Sequence, residues 1–255
     1  MHTEETILKF FETNFKPRLD WVNYLVNWSA QHKYIYVETP KVGCTTIKHF
    51  LQNAERSINS TIDYSLVHDR RSSPLLSPRS NYSIFIAAFN HSSFYKFCFV
   101  RNPYSRLLSA YLDKFVTNER ERLRLSPKLG IPVSRKPSFL DFLCAIQEQT
   151  DGDRDIHWAS QEHLLSPSTV RYSFVGRFEN FQQSLSLIAN VLGLQHFLSL
   201  EDTRHATNAG EKIAAYYSAR EINLVQTIYE RDFLSFGYGF DPHFIRNEKY
   251  QSPAG

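Results

Sequence analysis

Apolar positions along the chain fall into short continuous runs and into longer segments with helical spacing. Four short runs rich in β-branched and aromatic residues predict strands: KYIYVET (33–39), SIFIAAF (83–89), KFCFVR (96–101) and RYSFVGRF (171–178). The segments between them carry apolar residues at helical spacing, and residues 1–30 predict an amphipathic helical lead-in. Because strands alternate with helices, the pattern predicts a doubly wound α/β fold with a mainly parallel sheet flanked by helices.

Polar residues mark where several helices begin. Ser138 and Asp141 form a capping pattern in front of the apolar run FLDFLCAIQ, and Ser218 and Glu221 do the same for a last helix that is predicted to reach a turn at Gly237. Residues 118–137 are basic, contain proline and lack a clean period, so they predict the end of a helix followed by a surface loop.

Composition indicates a folded protein. The 255 residues are 42% hydrophobic and 15% aromatic, values too high for a disordered chain. This length suits one large α/β domain or two small ones, and we predict a single domain over 1–255 with a C-terminal tail at 241–255. A net charge of +3 is too small for a general nucleic-acid binder, so we expect no nucleic-acid partner and look for local anion sites.

Cysteine usage and hydropathy give expectations about the compartment. The three cysteines, Cys44, Cys98 and Cys144, have no spacing typical of a zinc site or a disulfide framework, so reduced thiols are expected. No apolar stretch approaches the roughly 18 residues needed to span a bilayer. These observations predict a soluble, cytoplasmic protein without a transmembrane segment.

The turn after the first predicted strand has the residues of an anion site. Gly43 allows the backbone to curl, and the amides of Cys44, Thr45 and Thr46 would form a helix N-terminus, which favours an anion. Lys41 adds a positive charge, Val42 lies within the same loop, and both threonines add hydroxyl donors. The loop is therefore a candidate phosphate site; the alternative is an ordinary turn with a solvent-facing lysine.

A second candidate turn follows the strand KFCFV. Arg101 ends this strand, Pro103 suits the first position of the next helix, and Ser109 would lie two turns into that helix. A guanidinium at the end of an apolar strand is favourable where it meets an anion. Two neighbouring strand ends with anion-binding groups predict a ligand that carries two separate phosphates, bound beyond the carboxyl ends of the strands.

Both turns resemble motifs of one enzyme family. TPKVGCTTIKHF (39–50) resembles the 5′-phosphosulfate loop, and FCFVRNPYSRLLSAYLDKF (97–115) the 3′-phosphate motif, of sulfotransferases that use 3′-phosphoadenosine 5′-phosphosulfate (PAPS). The segment IHWASQEHLLSPSTVRYSFVGRFENF (156–181) and the closing YERDFLSFGY (229–238) are most similar to the carbohydrate sulfotransferases related to the HNK-1 and chondroitin 4-O enzymes. The resemblance covers about 34–240 and implies the P-loop-NTPase-like sulfotransferase fold.

The chain also departs from that group. Where its animal members carry two cysteines after the His-Trp pair, this chain has Leu165 and Ser168, and the usual membrane anchor is absent from the sequence. Both differences suit a reducing cytoplasm better than the Golgi lumen, and both weaken the transfer of the animal enzymes' acceptor specificity to this chain.

The resemblance implies roles for the loop residues in transfer of a sulfuryl group by in-line displacement. Lys41 would stabilise the negative charge that develops on the leaving group, with Thr45 and Thr46 at the 5′-phosphate and Arg101 and Ser109 at the 3′-phosphate. The family needs no metal, and we identify no acidic strand end suited to binding one. A late loop, TRHATNAG (203–210), is assigned to the nucleotide, with Arg204, His205 or Asn208 in contact.

The acceptor hydroxyl needs a general base, for which a histidine is suitable near neutral pH. His91 is the first choice, because it lies between the predicted strand SIFIAAF and the 3′-phosphate strand, an order shared with histidine-dependent members of the superfamily. His157, beside Trp158, is the rival base or a sugar contact. The alternatives are a surface-loop histidine at position 91 and a packing histidine at position 157.

The resemblance implies a carbohydrate or glycoconjugate acceptor. A basic segment would suit an anionic polysaccharide, although such a charge run is equally typical of a solvated face; its residues are Arg120, Arg122, Arg124, Lys128, Arg135 and Lys136. Two rival functions remain: a degenerate P-loop nucleotide kinase, and a non-catalytic domain that binds a nucleotide or a polyanion. The kinase fits poorly, because Lys41 precedes the loop's only glycine instead of following one.

Overall fold

The computed structural model describes residues 3–57, 63–199 and 209–242. Its strands are β1 (Val26–Ser29), β2 (Tyr34–Val37), β3 (Tyr95–Val100) and β4 (Phe174–Arg177). Its α-helices are α1 (Glu4–Asn14), α2 (Leu19–Leu25), α3 (Cys44–Arg56), α4 (Tyr82–Asn90), α5 (Pro103–Tyr111), α6 (Glu119–Leu125), α7 (Phe139–Gln147), α8 (Gln161–Leu165), α9 (Phe181–Val191), α10 (Ala209–Tyr216), α11 (Ala219–Ile228) and α12 (Glu230–Phe236).

The four strands form one sheet in the order β1-β2-β3-β4. β2, β3 and β4 run parallel, with Tyr36 opposite Phe97 and Phe97 opposite Phe174, whereas β1 pairs antiparallel with β2. Parallel strands need crossover connections, and here helices such as α3 supply them. The predicted α/β class with a mainly parallel sheet is therefore confirmed.

The chain divides into two compact units: unit 1 comprises residues 1–100 and 155–205, and unit 2 comprises residues 101–154 and 206–255. Unit 1 contains the sheet. The predicted single domain over 1–255, with its tail at 241–255, stays a prediction, and residues 243–255 lie outside the described part of the chain.

The core of unit 1 lies on both faces of the sheet. On one face, Tyr36 of β2 stacks on Phe97 of β3, with ring centroids 5.1 Å apart, in a cluster that also holds buried residues of α3 and α9. On the other face, Trp28 of β1, which lies opposite Ile35, packs against Phe85 of α4. Helices therefore cover both faces, as a doubly wound sheet requires.

Unit 2 is helical and built around aromatic side chains. Tyr104 of α5 packs against Phe233 of α12, and its hydroxyl donates a hydrogen bond to the Phe240 carbonyl. Tyr111, also on α5, packs against Phe142 of α7 and donates to the Pro137 carbonyl at 2.9 Å. These hydroxyls let large aromatic rings be buried without leaving an unsatisfied polar group.

Three sequence-based assignments need correction. The segment SIFIAAF is wrong as a strand, because it forms most of α4, which starts at an Asn81 cap. The lead-in is helical in α1 and α2 but also supplies the edge strand β1, which the sequence analysis missed. The last helix is two helices, α11 and α12, separated at Tyr229. The capping boxes at Ser138 and Ser218 are confirmed.

We expect Gly43→Ala to lower the free energy of unfolding by about 2–4 kcal/mol, because two penalties add. Gly43 has φ +85°, a left-handed conformation that disfavours a side chain, and an added Cβ would lie 2.5 Å from the Phe181 ring. Gly193→Ala is the matched control, since Gly193 has φ +69° with open space around it. Equal losses in urea unfolding of the two variants would contradict a role for the Phe181 contact.

Candidate functional site

The loop between β2 and α3 has the backbone shape of an anion site. Lys41 has φ +71°, and Gly43, the residue before the first turn of α3, has φ +85° and no side chain to cap that turn. The amides that open α3 are therefore not capped by the side chain in front of them, and they carry the positive end of the helix dipole. Lys41 is half-buried in this loop, three residues before the start of α3.

Three loop side chains that follow Gly43 are half-buried. Thr45 and Thr46 bring hydroxyls to the first turn of α3. Burial, together with the charge of Glu38, raises the pKa of the Cys44 thiol to about 12, so Cys44 is a neutral thiol at physiological pH. A neutral thiol is a weak nucleophile and packs as a small apolar group, so Cys44 adds no charge to the loop.

A buried ion pair lies directly beneath this loop, and the sequence analysis missed it. Glu38 follows the last residue of β2, and Lys48 lies one turn into α3; their side chains are 2% and 0% exposed, with Lys48 Nζ 3.1 Å from Glu38 Oε2. Burial acts to raise the pKa of Glu38, but the charge of Lys48, followed by the protonated form of His68, the Lys48 hydrogen bond and the charge of Arg70, outweighs it and holds the pKa below its usual value. Glu38 is therefore a carboxylate at physiological pH.

His68 joins this pair to the loop. Its Nε2 lies 3.0 Å from Thr45 Oγ1, and its Nδ1 lies 3.4 Å from Lys48 Nζ. The signal that sequence reasoning could have used is Glu38, an acidic residue at the end of a buried strand, where a carboxylate requires a buried partner.

Glu38, Cys44 and His68 also bring three ligand-type atoms within 4.8 Å of one another. This set fits a metal ion poorly, because Lys48 already places a cation against the Glu38 carboxylate and the Cys44 thiol is protonated. The sequence analysis identified no acidic strand end suited to a metal; Glu38 is an acidic residue at a strand end, but its partner is an ammonium group. The predicted absence of a metal requirement stays a prediction.

His157 lies in unit 1 with a carboxylate partner. Its Nδ1 is 2.5 Å from Asp155 Oδ1, and its ring is 23% exposed. A carboxylate at Nδ1 fixes the imidazole so that Nε2 is the nitrogen that can exchange a proton. Burial and then the negative charges of Glu38 and Asp155 raise the pKa of Tyr24 to about 12, so Asp155 and the Glu38 pair act on a common neighbour.

His91 lies elsewhere in unit 1. It follows α4, is exposed, and accepts hydrogen bonds at Nδ1 from the Ser93 amide and hydroxyl. Four residues later β3 begins, with the Tyr95 amide bonded to the Lys33 carbonyl ahead of β2. His91 is thus at the amino end of the parallel strands, whereas Lys41 follows the carboxyl end. The placement of His91 just past a strand is wrong, and the structure does not bring it to the loop.

The residues predicted for the 3′-phosphate lie in unit 2. Arg101 directly follows β3, is 7% exposed, and donates from Nε to Ser105 Oγ at 2.9 Å. Asn102 caps α5 and Pro103 occupies its first position, as predicted. Ser109 is buried one turn beyond Ser105 on the same helix face. The structure therefore pairs Arg101 with Ser105, which was not predicted, and places Ser109 one turn further along the same helix.

Four of the six basic residues of the basic segment contact polar groups inside unit 2, three of them through a carboxylate. Arg122 donates to the Val133 carbonyl and to Glu119. Arg124 pairs with Glu121, Arg135 pairs with Asp141, and Lys136 donates to the Val116 carbonyl. The other two basic residues of the segment, Arg120 and Lys128, are exposed. The Arg135 hydrogen bond is the main cause that lowers the pKa of Asp141 to about 2. The segment thus offers less free positive charge than its sequence indicates.

Three residues predicted to contact the nucleotide, Arg204, His205 and Asn208, lie outside the described residues. Within the described part of the chain, no helix combines the length and the apolar character needed to cross a membrane.

Comparisons with known proteins relate the chain to sulfotransferases. The model of the sulfotransferase family matches residues 25–239. Carbohydrate sulfotransferase 10 of Xenopus laevis is 29% identical over 243 residues, covering 85% of this chain and 68% of that protein. The Mus musculus protein of the same name is 30% identical over 242 residues, with 85% and 67% covered. Carbohydrate sulfotransferase 8 of Homo sapiens is 26% identical over 238 residues, which cover 82% of this chain and 54% of that protein. No solved structure matches the chain.

Proposed function

The chain belongs to the sulfotransferase family, and from that premise we propose that it moves the sulfuryl group of PAPS to a hydroxyl of a carbohydrate acceptor. The main support within the structure is the loop between β2 and α3, where Lys41 and Gly43 in left-handed conformations open a helix whose first turn carries two threonines. The names of the relatives support the acceptor class.

Each half of the donor has candidate binding residues. The segment Lys41–Thr46, which includes Val42, Gly43 and Cys44, would bind the 5′-phosphosulfate through amides, hydroxyls and the Lys41 ammonium. Arg101 and Ser109 would bind the 3′-phosphate, with Ser105 holding the guanidinium in place. Arg204 and Asn208 are proposed as further nucleotide contacts on the family resemblance alone.

Bound PAPS would supply the sulfuryl group. The oxygen of the acceptor hydroxyl would form a bond to the sulfur while the bond between the sulfur and the 5′-phosphate oxygen breaks. Lys41 would stabilise the negative charge that grows on that leaving oxygen. His157 would take the proton of the acceptor hydroxyl at Nε2, because Nδ1 is held by Asp155. Asp155 would also stabilise the resulting imidazolium. The products are a sulfate ester and adenosine 3′,5′-bisphosphate.

The acceptor is proposed to be a sugar hydroxyl of a carbohydrate or glycoconjugate. An anionic polysaccharide has weak support, because Arg122, Arg124, Arg135 and Lys136 already bind groups of unit 2. The cytoplasmic location predicted from the sequence stays a prediction.

Calorimetric titration tests donor binding, with adenosine 3′,5′-bisphosphate and adenosine 5′-phosphate in metal-free buffer and with ATP–Mg²⁺ in a separate titration. We expect tight binding of the bisphosphate, at least tenfold weakening in Arg101→Ala, where a charged hydrogen-bonding group is lost, and weak binding of the other two ligands. A preference for ATP–Mg²⁺ would favour the nucleotide kinase instead. Bisphosphate binding without sulfate transfer from PAPS to any sugar acceptor would indicate a non-catalytic nucleotide-binding domain.

A further inference from the structure

A chain of four polar side chains runs from the interior of unit 1 to the surface of the Lys41–Thr46 loop. It begins with Glu38 at the end of β2, continues through Lys48 of α3 and His68, and ends at Thr45 in the first turn of α3. The successive separations are 3.1 Å between Glu38 and Lys48, 3.4 Å between Lys48 and His68 Nδ1, and 3.0 Å between His68 Nε2 and Thr45 Oγ1.

The chemistry of Lys48 gives this chain a direction. An ammonium group has hydrogens to donate and no lone pair to accept with, so His68 Nδ1 must be the acceptor of the Lys48 contact. In the neutral imidazole the hydrogen then lies on Nε2, which donates to Thr45 Oγ1. The competing arrangement needs Nδ1–H to donate to Glu38 Oε1, and that separation is 3.6 Å, longer than a hydrogen bond.

The direction of the last bond decides what Thr45 can do. A threonine hydroxyl has one hydrogen and two lone pairs. When Oγ1 accepts the bond from His68, the hydroxyl hydrogen is left to donate to another group. In the opposite tautomer the Thr45 hydroxyl would donate its hydrogen to His68. It would then present only lone pairs to the ligand, and these repel a phosphate oxygen.

We propose that His68 is a positioning residue, which orients the Thr45 hydroxyl so that its hydrogen donates to the 5′-phosphate of the nucleotide. This inference rests on the proposed function, because it assumes that the loop binds that phosphate. Glu38 and Lys48 set the tautomer of His68, and His68 sets the hydroxyl.

The residues around these four side chains favour a fixed arrangement of their hydrogen bonds. Lys48 and Glu38 are fully buried between β2 and α3, and Lys48 Nζ also lies 5.6 Å from the centre of the Tyr24 ring. Arg70, two residues after His68, donates to the carbonyls of Tyr24 and Val26 and so anchors the segment that carries His68. The His68 side chain itself is 36% exposed, so its replacement leaves the core intact.

The test compares two ligands that differ only at the 5′ position: adenosine 3′,5′-bisphosphate and adenosine 3′-phosphate. We expect His68→Ala to weaken the bisphosphate about tenfold, the effect of losing a directed hydrogen bond to a charged group, and to leave adenosine 3′-phosphate unchanged. Equal weakening of both ligands, or of neither, would overturn the inference.

A double-mutant cycle tests whether His68 acts through Thr45. In a Thr45→Val background, which lacks the hydroxyl, we expect His68→Ala to cause no further loss of bisphosphate affinity. Additive losses would overturn the inference. His68→Gln supplies the conservative variant, since its amide N–H can donate to Thr45, and it should recover part of the affinity.

Nitrogen NMR of the His68 ring gives a readout that does not depend on ligand. In the unliganded wild-type protein, at a pH where this imidazole is neutral, the hydrogen is expected on Nε2; a hydrogen on Nδ1 would overturn the inference. Failure of the proposed function is distinguishable: in that case the wild-type protein itself does not bind the bisphosphate, whereas unchanged binding in His68→Ala contradicts the role of His68 alone.

Discussion

Lys41→Ala is expected to lower kcat for sulfate transfer by about 10²- to 10³-fold, the size of effect seen when one group that stabilises transition-state charge is removed. The ammonium group would act on charge that develops only as the sulfur–oxygen bond breaks. The loss should therefore appear mainly in kcat, with a smaller change in the KM for PAPS. Initial rates with labelled PAPS and a sugar acceptor measure both constants.

Lys33→Ala provides a matched control. Lys33 is also a lysine with a left-handed backbone, at φ +50°, but it is exposed and precedes β2 instead of following it. Because the same substitution is made in a similar backbone conformation, any general effect of the change should occur in both variants. Equal activities of Lys41→Ala and Lys33→Ala would contradict the role assigned to Lys41.

His157→Ala is expected to lower kcat by about 10²- to 10⁴-fold, as removal of a general base does. Asp155→Asn should cause a smaller loss, since the amide can still contact Nδ1 but no longer stabilises the imidazolium that forms during proton transfer. Wild-type activity should fall as the pH is lowered, because the protonated ring has no lone pair left to accept a proton. A pH–rate profile of the wild type and of Asp155→Asn measures this dependence.

His91→Ala decides between the two histidines that the sequence left as candidates. His91 is exposed and lies at the amino end of the parallel strands, so its replacement should leave kcat within about twofold of wild type. Loss of activity in His91→Ala with normal activity in His157→Ala would reverse the assignment.

The strands next to both loops could be predicted because each joins a buried β-branched and aromatic run to a recognisable helix start. KYIYVET leads to Gly43, and KFCFV leads to Asn102 and Pro103. The run SIFIAAF misled, since a short continuous apolar segment is compatible with either a buried strand or a buried helix. Asn81 in front of it was the available sign of a helix, as its side chain caps α4.

The candidate site was predictable only where its residues are close in sequence. Lys41, Thr45 and Thr46 belong to one loop, and Arg101 and Ser109 belong to one strand-to-helix turn. The series of side-chain contacts from Glu38 to His68 joins segments thirty residues apart, and no local pattern indicates which histidine will contact Thr45. Such pairings depend on how the chain packs, which local spacing does not determine.

The buried pair of Glu38 and Lys48 also constrains how this sequence can diverge. Loss of Glu38 alone leaves the buried Lys48 ammonium group without its carboxylate, at a penalty of about 3–5 kcal/mol, and loss of Lys48 alone leaves Glu38 with the smaller contributions of His68 and Arg70. Replacement of both by apolar residues can be nearly neutral. The two positions are therefore epistatic: the viable substitutions at one depend on the residue at the other. If the two residues are replaced one at a time, the sequence passes through a variant that folds poorly. We therefore expect substitutions at these two positions to accumulate slowly.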